Sequence, residues 1–241
     1  IKDGYRMYHG TTIPGFPAHP HRGFETITVV NKGFCDHSDS LGAAGRFGDG
    51  DVQWMTAGSG VQHSEMFPLL HTDKENTLEL FQIWLNLPAK SKFVDPHFKM
   101  LWHEEIPVIN LKNARVKVIA GEFNSEKAPD PAPDSWANDK DNDVAIWNIT
   151  IDENGTITLP KAEINSHRTI YFYDGNTIEL LGELVKPNHG VDIDSSKEVE
   201  IKAIKANAHI LVLQGKPIGE PVAKYGPFVM NTDEELQNAM N

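Results

Sequence analysis

Short apolar runs set the character of this chain. FETITVV (24–30), LELFQIWLNL (78–87), ARVKVIAGEF (114–123), DVAIWNITI (143–151), TITLP (156–160), RTIYFYD (168–174), TIELLGELV (177–185), VEIKAIK (199–205) and HILVLQG (209–215) recur at short intervals. They are rich in β-branched and aromatic residues, and Gly, Asn and Asp separate them. Such runs read as strands of an all-β sandwich or barrel. The stretch DENG at 152–155 predicts a hairpin turn. The Asp-, Pro-, Ala- and Asn-rich stretch 125–143 reads as an exposed loop. Two β units are expected, joined around 111–115, giving domains 1–112 and 113–241.

Helical periodicity is scarce. One short helix is expected somewhere in SKFVDPHFKMLW (91–102). Another closes the chain, with Thr232 as N-cap and Glu235 three residues on, the pattern of a capping box.

Composition narrows the classes. A chain of 241 residues with 39% hydrophobic content can bury a sizeable core. A net charge of −12 disfavours direct binding to nucleic acid or to an anionic membrane, since phosphate contacts need a cationic face. No apolar run approaches the ~20 residues that span a bilayer. One cysteine, Cys35, excludes an internal disulfide framework and fits a reducing compartment, so a cytoplasmic setting is expected, or a nuclear one in a eukaryote. Cys35 itself reads as a small buried hydrophobe. A monomer is expected.

The candidate chemistry lies in two short strings, HPHRGFETITVV and GVQHSEM. In an extended strand, residues i and i+2 share a face about 7 Å apart. His19 and His21 therefore project together, and so do His63 and Glu65. Two strands offering two ligands each can converge on one ion. Three imidazoles and a carboxylate leave coordination positions open on a metal that takes five or six ligands, which suits redox or Lewis-acid chemistry. The competing carboxylate is Glu25. The string H-x-H-x3-E resembles the first motif of the cupin superfamily, and GDGDVQWMTAGSGVQH loosely resembles the second, which would give His19, His21, Glu25 and His63. In a regular strand, however, Glu25 lies about 13 Å beyond His21, and RGFETITVV shows no turn signal before Asn31. Glu25 reads better as a supporting acid that fixes the tautomer of a ligand imidazole. Arg22 reads as structural, and Trp54 and Met55 as core. His37 reads as a surface or loop histidine.

HPHRGFET, GDVQWMTAGSGVQHSEM and LQGKPIGEPVAKYGPFVMNT closely resemble the pirin family, over essentially the whole chain. The resemblance implies a bicupin: two β-barrel-like domains, with metal only in the N-terminal one. It places the ligands at His19, His21, His63 and Glu65. It implies iron, Fe(II), with Mn, Co, Ni, Cu or Zn as alternatives. It further implies either a quercetin 2,3-dioxygenase, taking a flavonol and O2 with Glu65 as the proton acceptor, or a non-catalytic iron-dependent regulator that binds a protein partner. Pirins carry further strands ahead of HPHRG, and little precedes it here, so the first barrel is expected to be missing its first strands.

Overall fold

A computed structural model describes residues 10–241. The expected loss of initial strands concerns the chain ahead of residue 10 and lies outside the described residues. Among the described residues the first eight strands are β1 (Gly15–His21), β2 (Phe24–Lys32), β3 (Phe34–Asp39), β4 (Ala44–Gly48), β5 (Val52–Thr56), β6 (Val61–Met66), β7 (Glu79–Asn86) and β8 (His97–Leu101). They form two four-stranded antiparallel sheets, in the orders β1-β6-β3-β4 and β7-β2-β5-β8. β2 is buried along seven successive residues from Phe24 to Val30. A strand in the middle of its sheet and covered on both faces reads as a continuous apolar and β-branched run, and FETITVV is one.

Twelve more strands follow: β9 (Val108–Asn110), β10 (Ala114–Ala120), β11 (Glu122–Phe123), β12 (Glu126–Lys127), β13 (Ala145–Ile151), β14 (Thr156–Leu159), β15 (His167–Asp174), β16 (Thr177–Leu180), β17 (Glu183–Val185), β18 (His189–Ile193), β19 (Val199–Ile204) and β20 (Ala208–Gly215). A six-stranded sheet runs β18-β15-β20-β13-β10-β9, and a four-stranded one runs β14-β19-β16-β17. Their shared core is apolar and includes Val116, Trp147, Ile149, Phe172, Ile201 and Val212. The chain ends with β21 (Ala223–Tyr225), β22 (Phe228–Met230) and helix α1 (Asp233–Met240). The capping box is formed: Glu235 N donates to Thr232 Oγ1, and Thr232 N donates to the Glu235 carboxylate, each at 3.2 Å.

Compactness groups the described residues up to His103 with Glu220–Asn241, and Glu104–Gly219 separately. Both limits differ from 1–112 and 113–241. Residues 111–113 are the turn of the β9–β10 hairpin, in which Arg115 pairs with Asn110, so they sit inside the second unit. The last residues return to the first unit, where Phe228 bridges to Arg22 and Val229 N donates to Arg22 O at 3.1 Å.

Three further expectations are corrected. The stretch 91–102 holds a 3-10 turn ending at Ser91 and then strand β8. Asp95 precedes Pro96, which pushes it toward extended backbone, and β8 then pairs with β5 from Thr56↔His97 to Val52↔Leu101. The DENG turn forms, with Asn154 at φ 60°, but it makes no hairpin, because β13 pairs with β10 and β20 while β14 pairs with β19. The turn carries the chain from one sheet to the other. The stretch 125–143 is only partly exposed: Ala132 and Ser135 are buried, and Trp136 Nε1 donates to Lys216 O at 2.9 Å.

No helix among the described residues is long and apolar enough to cross a membrane.

Candidate metal centre

Register brings the candidate ligands to one face. In the β1–β6 pair His19 lies opposite His63, and in the β3–β6 pair His37 lies opposite Glu65 and Asp39 opposite His63. The pairing of β1 shifts between Phe16, opposite Glu65, and His19. An unshifted strand would set Ala18 opposite His63 and turn His19 to the other face. The bulge at Pro17–Ala18 is thus what aims His19 and His21 at His63.

One ring nitrogen from each of His19, His21 and His63 lies within 4.8 Å of the other two. His63 Nε2 and His19 Nε2 are 2.9 Å apart. Two nitrogens bound at right angles about 2.1 Å from one ion are about 3 Å apart, so the spacing fits coordination. The other ring nitrogen of each histidine is engaged. His19 Nδ1 donates to Pro17 O at 2.9 Å, and His21 Nδ1 faces Pro227 O at 3.4 Å. His63 Nδ1 lies 3.3 Å from His37 Nδ1. His21 Nε2 is buried and has no hydrogen-bond partner. A buried nitrogen with no partner is costly, and a cation shared with two neighbouring imidazoles would satisfy it. The residues present therefore fit a metal.

The electrostatics agree. Burial first, and then His19 beside it, pull the His21 pKa down to about 4. Burial, with His21, His19 and His37 nearby, pulls His63 down to about 3. Both rings are neutral at pH 7, the form that offers a lone pair.

Glu65 shares the face and is buried, and burial raises its pKa against the opposing hydrogen bond from Gln82. Its carboxylate lies outside the group of three converging nitrogens. Gln82 Nε2 donates to both its oxygens, at 3.0 and 3.1 Å, while Gln82 Oε1 accepts from Trp84 Nε1 at 3.3 Å. Trp84 thereby fixes which end of the Gln82 amide meets the carboxylate.

Glu25 does not enter the cluster. The chain does turn after Arg22, at Gly23 with φ 84°, where a Cβ would come within 2.0 Å of Val229 O. That turn starts a strand in the other sheet. Phe24 then packs 5.2 Å from the His21 ring, and alternation sends Glu25 to the far face, where it accepts from Thr56 Oγ1 at 2.7 Å. Its expected role of fixing a ligand tautomer falls to other groups, since the Nδ1 atoms of all three histidines are engaged elsewhere. Arg22 is structural, donating through Nε to Ser59 O at 2.7 Å. Trp54, Met55 and Cys35 are core, and burial pushes the Cys35 thiol pKa far up.

Two residues beside the site were not expected there. His37 is buried against His63 rather than on a surface loop. The signal was present: His37 and Asp39 are an i, i+2 pair like the other two. Gln82 left no mark within its apolar strand.

The sequence matches two family models, described as Pirin over residues 3–85 and as the Pirin C-terminal cupin domain over residues 146–241. A Pseudomonas aeruginosa protein that carries the name "Putative quercetin 2,3-dioxygenase" is 34% identical over 94% of this chain and 76% of its own length. Pirin from Rattus norvegicus is 31% identical, over 97% of this chain and 77% of that protein. Among solved structures, a quercetin 2,3-dioxygenase from Acinetobacter baumannii superposes with a TM-score of 0.87 at 30% identity, covering 98% of this chain and 80% of that one. The chain belongs to the pirin family.

Proposed function

We propose that this protein is a metal-dependent dioxygenase that opens a flavonol such as quercetin with O2, and that His19, His21, His63 and Glu65 hold the metal, Fe(II) first among the candidates. The observation that carries the reading is the convergence of three histidine nitrogens, one of them buried and unpartnered. A bound ion supplies a Lewis acid and a one-electron centre at which the flavonol oxygen and O2 can meet.

The chain's own groups account for the rest. The neutral imidazoles of His21 and His63 present lone pairs without having to lose a proton first. Glu65 accepts the proton of the flavonol 3-hydroxyl, and its raised pKa brings it nearer the working pH of a general base. Gln82 holds that carboxylate in place. Phe16 lies edge-on to His19 and Trp84 edge-on to His21, and both are substantially exposed. Phe16 offers an exposed aromatic ring beside the histidines against which a flat polyphenol can pack, whereas the Trp84 ring already carries Phe24 at 4.5 Å and Lys224 Nζ at 4.9 Å. One O2 and one flavonol then give the opened ester and carbon monoxide.

The test is direct. Metal-free protein is loaded anaerobically with Fe(II), Mn(II), Co(II), Ni(II), Cu(II) or Zn(II), mixed with quercetin and exposed to O2. Loss of flavonol absorbance with release of carbon monoxide supports the reading, and no loss with any metal refutes it. The second reading is an iron-binding regulator without turnover. The same exposed rim favours it, because Phe16 and Trp84 beside the ligands could carry a change in the site to a protein partner. Partner capture that differs between Fe(II)- and Fe(III)-loaded protein, with no quercetin consumed, would select it.

A further inference from the structure

Behind His63 stands a buried chain of groups. His63 Nδ1 is 3.3 Å from His37 Nδ1, and His37 Nε2 is 3.0 Å from Asp39 Oδ2. The side chains of His37 and Asp39 are 0% and 1% exposed. Asp39 Oδ1 accepts from Leu41 N at 2.9 Å and from Ala43 N at 3.0 Å. Asp39 sets one direction for the hydrogens of this chain, while His19 Nε2, 2.9 Å from His63 Nε2, offers His63 the opposite one. Asp39 accepts only, so His37 Nε2 carries a hydrogen. With its lone pair at Nδ1, His37 can accept a hydrogen from His63 Nδ1. His63 is left with its lone pair at Nε2, on the side of His19 and His21.

We propose that His37 and Asp39 are positioning residues that lock His63 in the Nδ1–H tautomer, so that its Nε2 lone pair faces the ion. The inference rests on the reading of His63 as a metal ligand. His19 and His21 use backbone carbonyls for the same purpose. A carbonyl can only accept, so each fixes its tautomer directly. His63 has a neighbouring imidazole in that place, and an imidazole can accept or donate. It needs Asp39 behind it to choose.

Asp39→Asn tests the relay with little change in shape. Two backbone N–H groups face Oδ1, so the amide oxygen must take that position, and its NH2 must face His37. His37 Nε2 then becomes an acceptor, its Nδ1 carries the hydrogen, and His63 is pushed into the Nε2–H form that cannot bind through that nitrogen. The same reasoning explains why an Asp-to-Asn change behind an imidazole can spoil chemistry while leaving geometry intact.

The experiment assigns the His63 tautomer by long-range 1H–15N NMR in metal-free protein, and measures Co(II) and Fe(II) affinity anaerobically. The native protein is expected to show His63 as Nδ1–H. Asp39→Asn should show Nε2–H, with metal affinity down about 10–100-fold and thermal stability near native. His37→Ala should also weaken binding, but leave His63 a mixture of tautomers. A native His63 found as Nε2–H overturns the proposal, even if the Asn variant does not fold. So does an Asn variant that keeps Nδ1–H. If the tautomer switches as expected while neither protein binds metal, the relay stands and the metal reading falls.

Discussion

Lys92 offers the sharpest test of what holds the strand of His19 and His21 in place. It is fully buried, and Nζ donates to Gly23 O at 2.8 Å, Asn86 Oδ1 at 2.7 Å and Val229 O at 2.8 Å. Three donors meet three acceptors, so the ammonium is saturated. One of those acceptors is the turn just after His21, and another lies two residues from Pro227, the hydrogen-bond partner of His21. Lys92→Met keeps the volume and removes the bonds. Hydrogen bonds from a charged donor are worth about 1.5–3 kcal/mol each, or about 5–9 kcal/mol for three. Against this stands the cost of burying the charge, which lowers the Lys92 pKa from 10.5 to about 8, about 3 kcal/mol at neutral pH. The bonds win, and the variant should lose about 2–6 kcal/mol. Urea unfolding of metal-free protein at pH 7, followed by tryptophan fluorescence, measures the loss.

The sign of the pH dependence is a second reading of the same group. Between pH 8 and 10.5 the unfolded chain still holds a proton that the folded Lys92 has released. The native protein therefore gains stability from this group as pH rises through that window, and the Met variant does not. The gap between them should widen above pH 8. A variant as stable as the native protein at pH 7 would show that desolvation outweighs the three bonds, as it can for buried ions, and would sink the reasoning.

Other outcomes follow from the site. Glu65→Gln should weaken metal binding at least about tenfold and abolish flavonol consumption, as read by metal analysis and absorbance. Glu25→Gln should cost about 1–3 kcal/mol through its buried bond to Thr56 and leave metal affinity unchanged; a loss of affinity would return Glu25 to the site. In metal-free protein, NMR titration should find His21 and His63 still neutral at pH 5.5. Their folded pKa values lie below the unfolded 6.5, so the stability they allow is full above pH 6.5. It should fall by about 3 kcal/mol per ring as pH drops to 4.

Much of this was legible along the chain because period-2 alternation is a strong constraint. It placed His19 with His21 and His63 with Glu65, and it rejected Glu25, although the reason given, an unbroken strand, was wrong. The chain breaks at Gly23, and Glu25 is excluded by the face it takes in the next strand. His37 and Asp39 obeyed the same rule and were passed over, because a histidine among Asp and Ser looks solvated until a second sheet covers it. Gln82 was hidden for the opposite reason, since one amide in LELFQIWLNL reads as the polar side of a strand. Pairing across long distances left no local trace. Nothing near DENG says that its flanking strands join different sheets, and nothing near Pro227 says that it returns to His21.

That last contact has a consequence in time. His21 and Pro227 are 206 residues apart along the chain, with the whole second unit between them. At ~5–20 residues per second of synthesis, roughly 10–40 s separate the two on the ribosome. Through that interval His19, His21 and His63 have all been made, yet the carbonyl that orients His21 and the strand that Lys92 fastens over it have not. The arrangement around His21 is thereby completed only after residue 229 has been made, and a chain released before that carries the three histidines without the contacts that orient them.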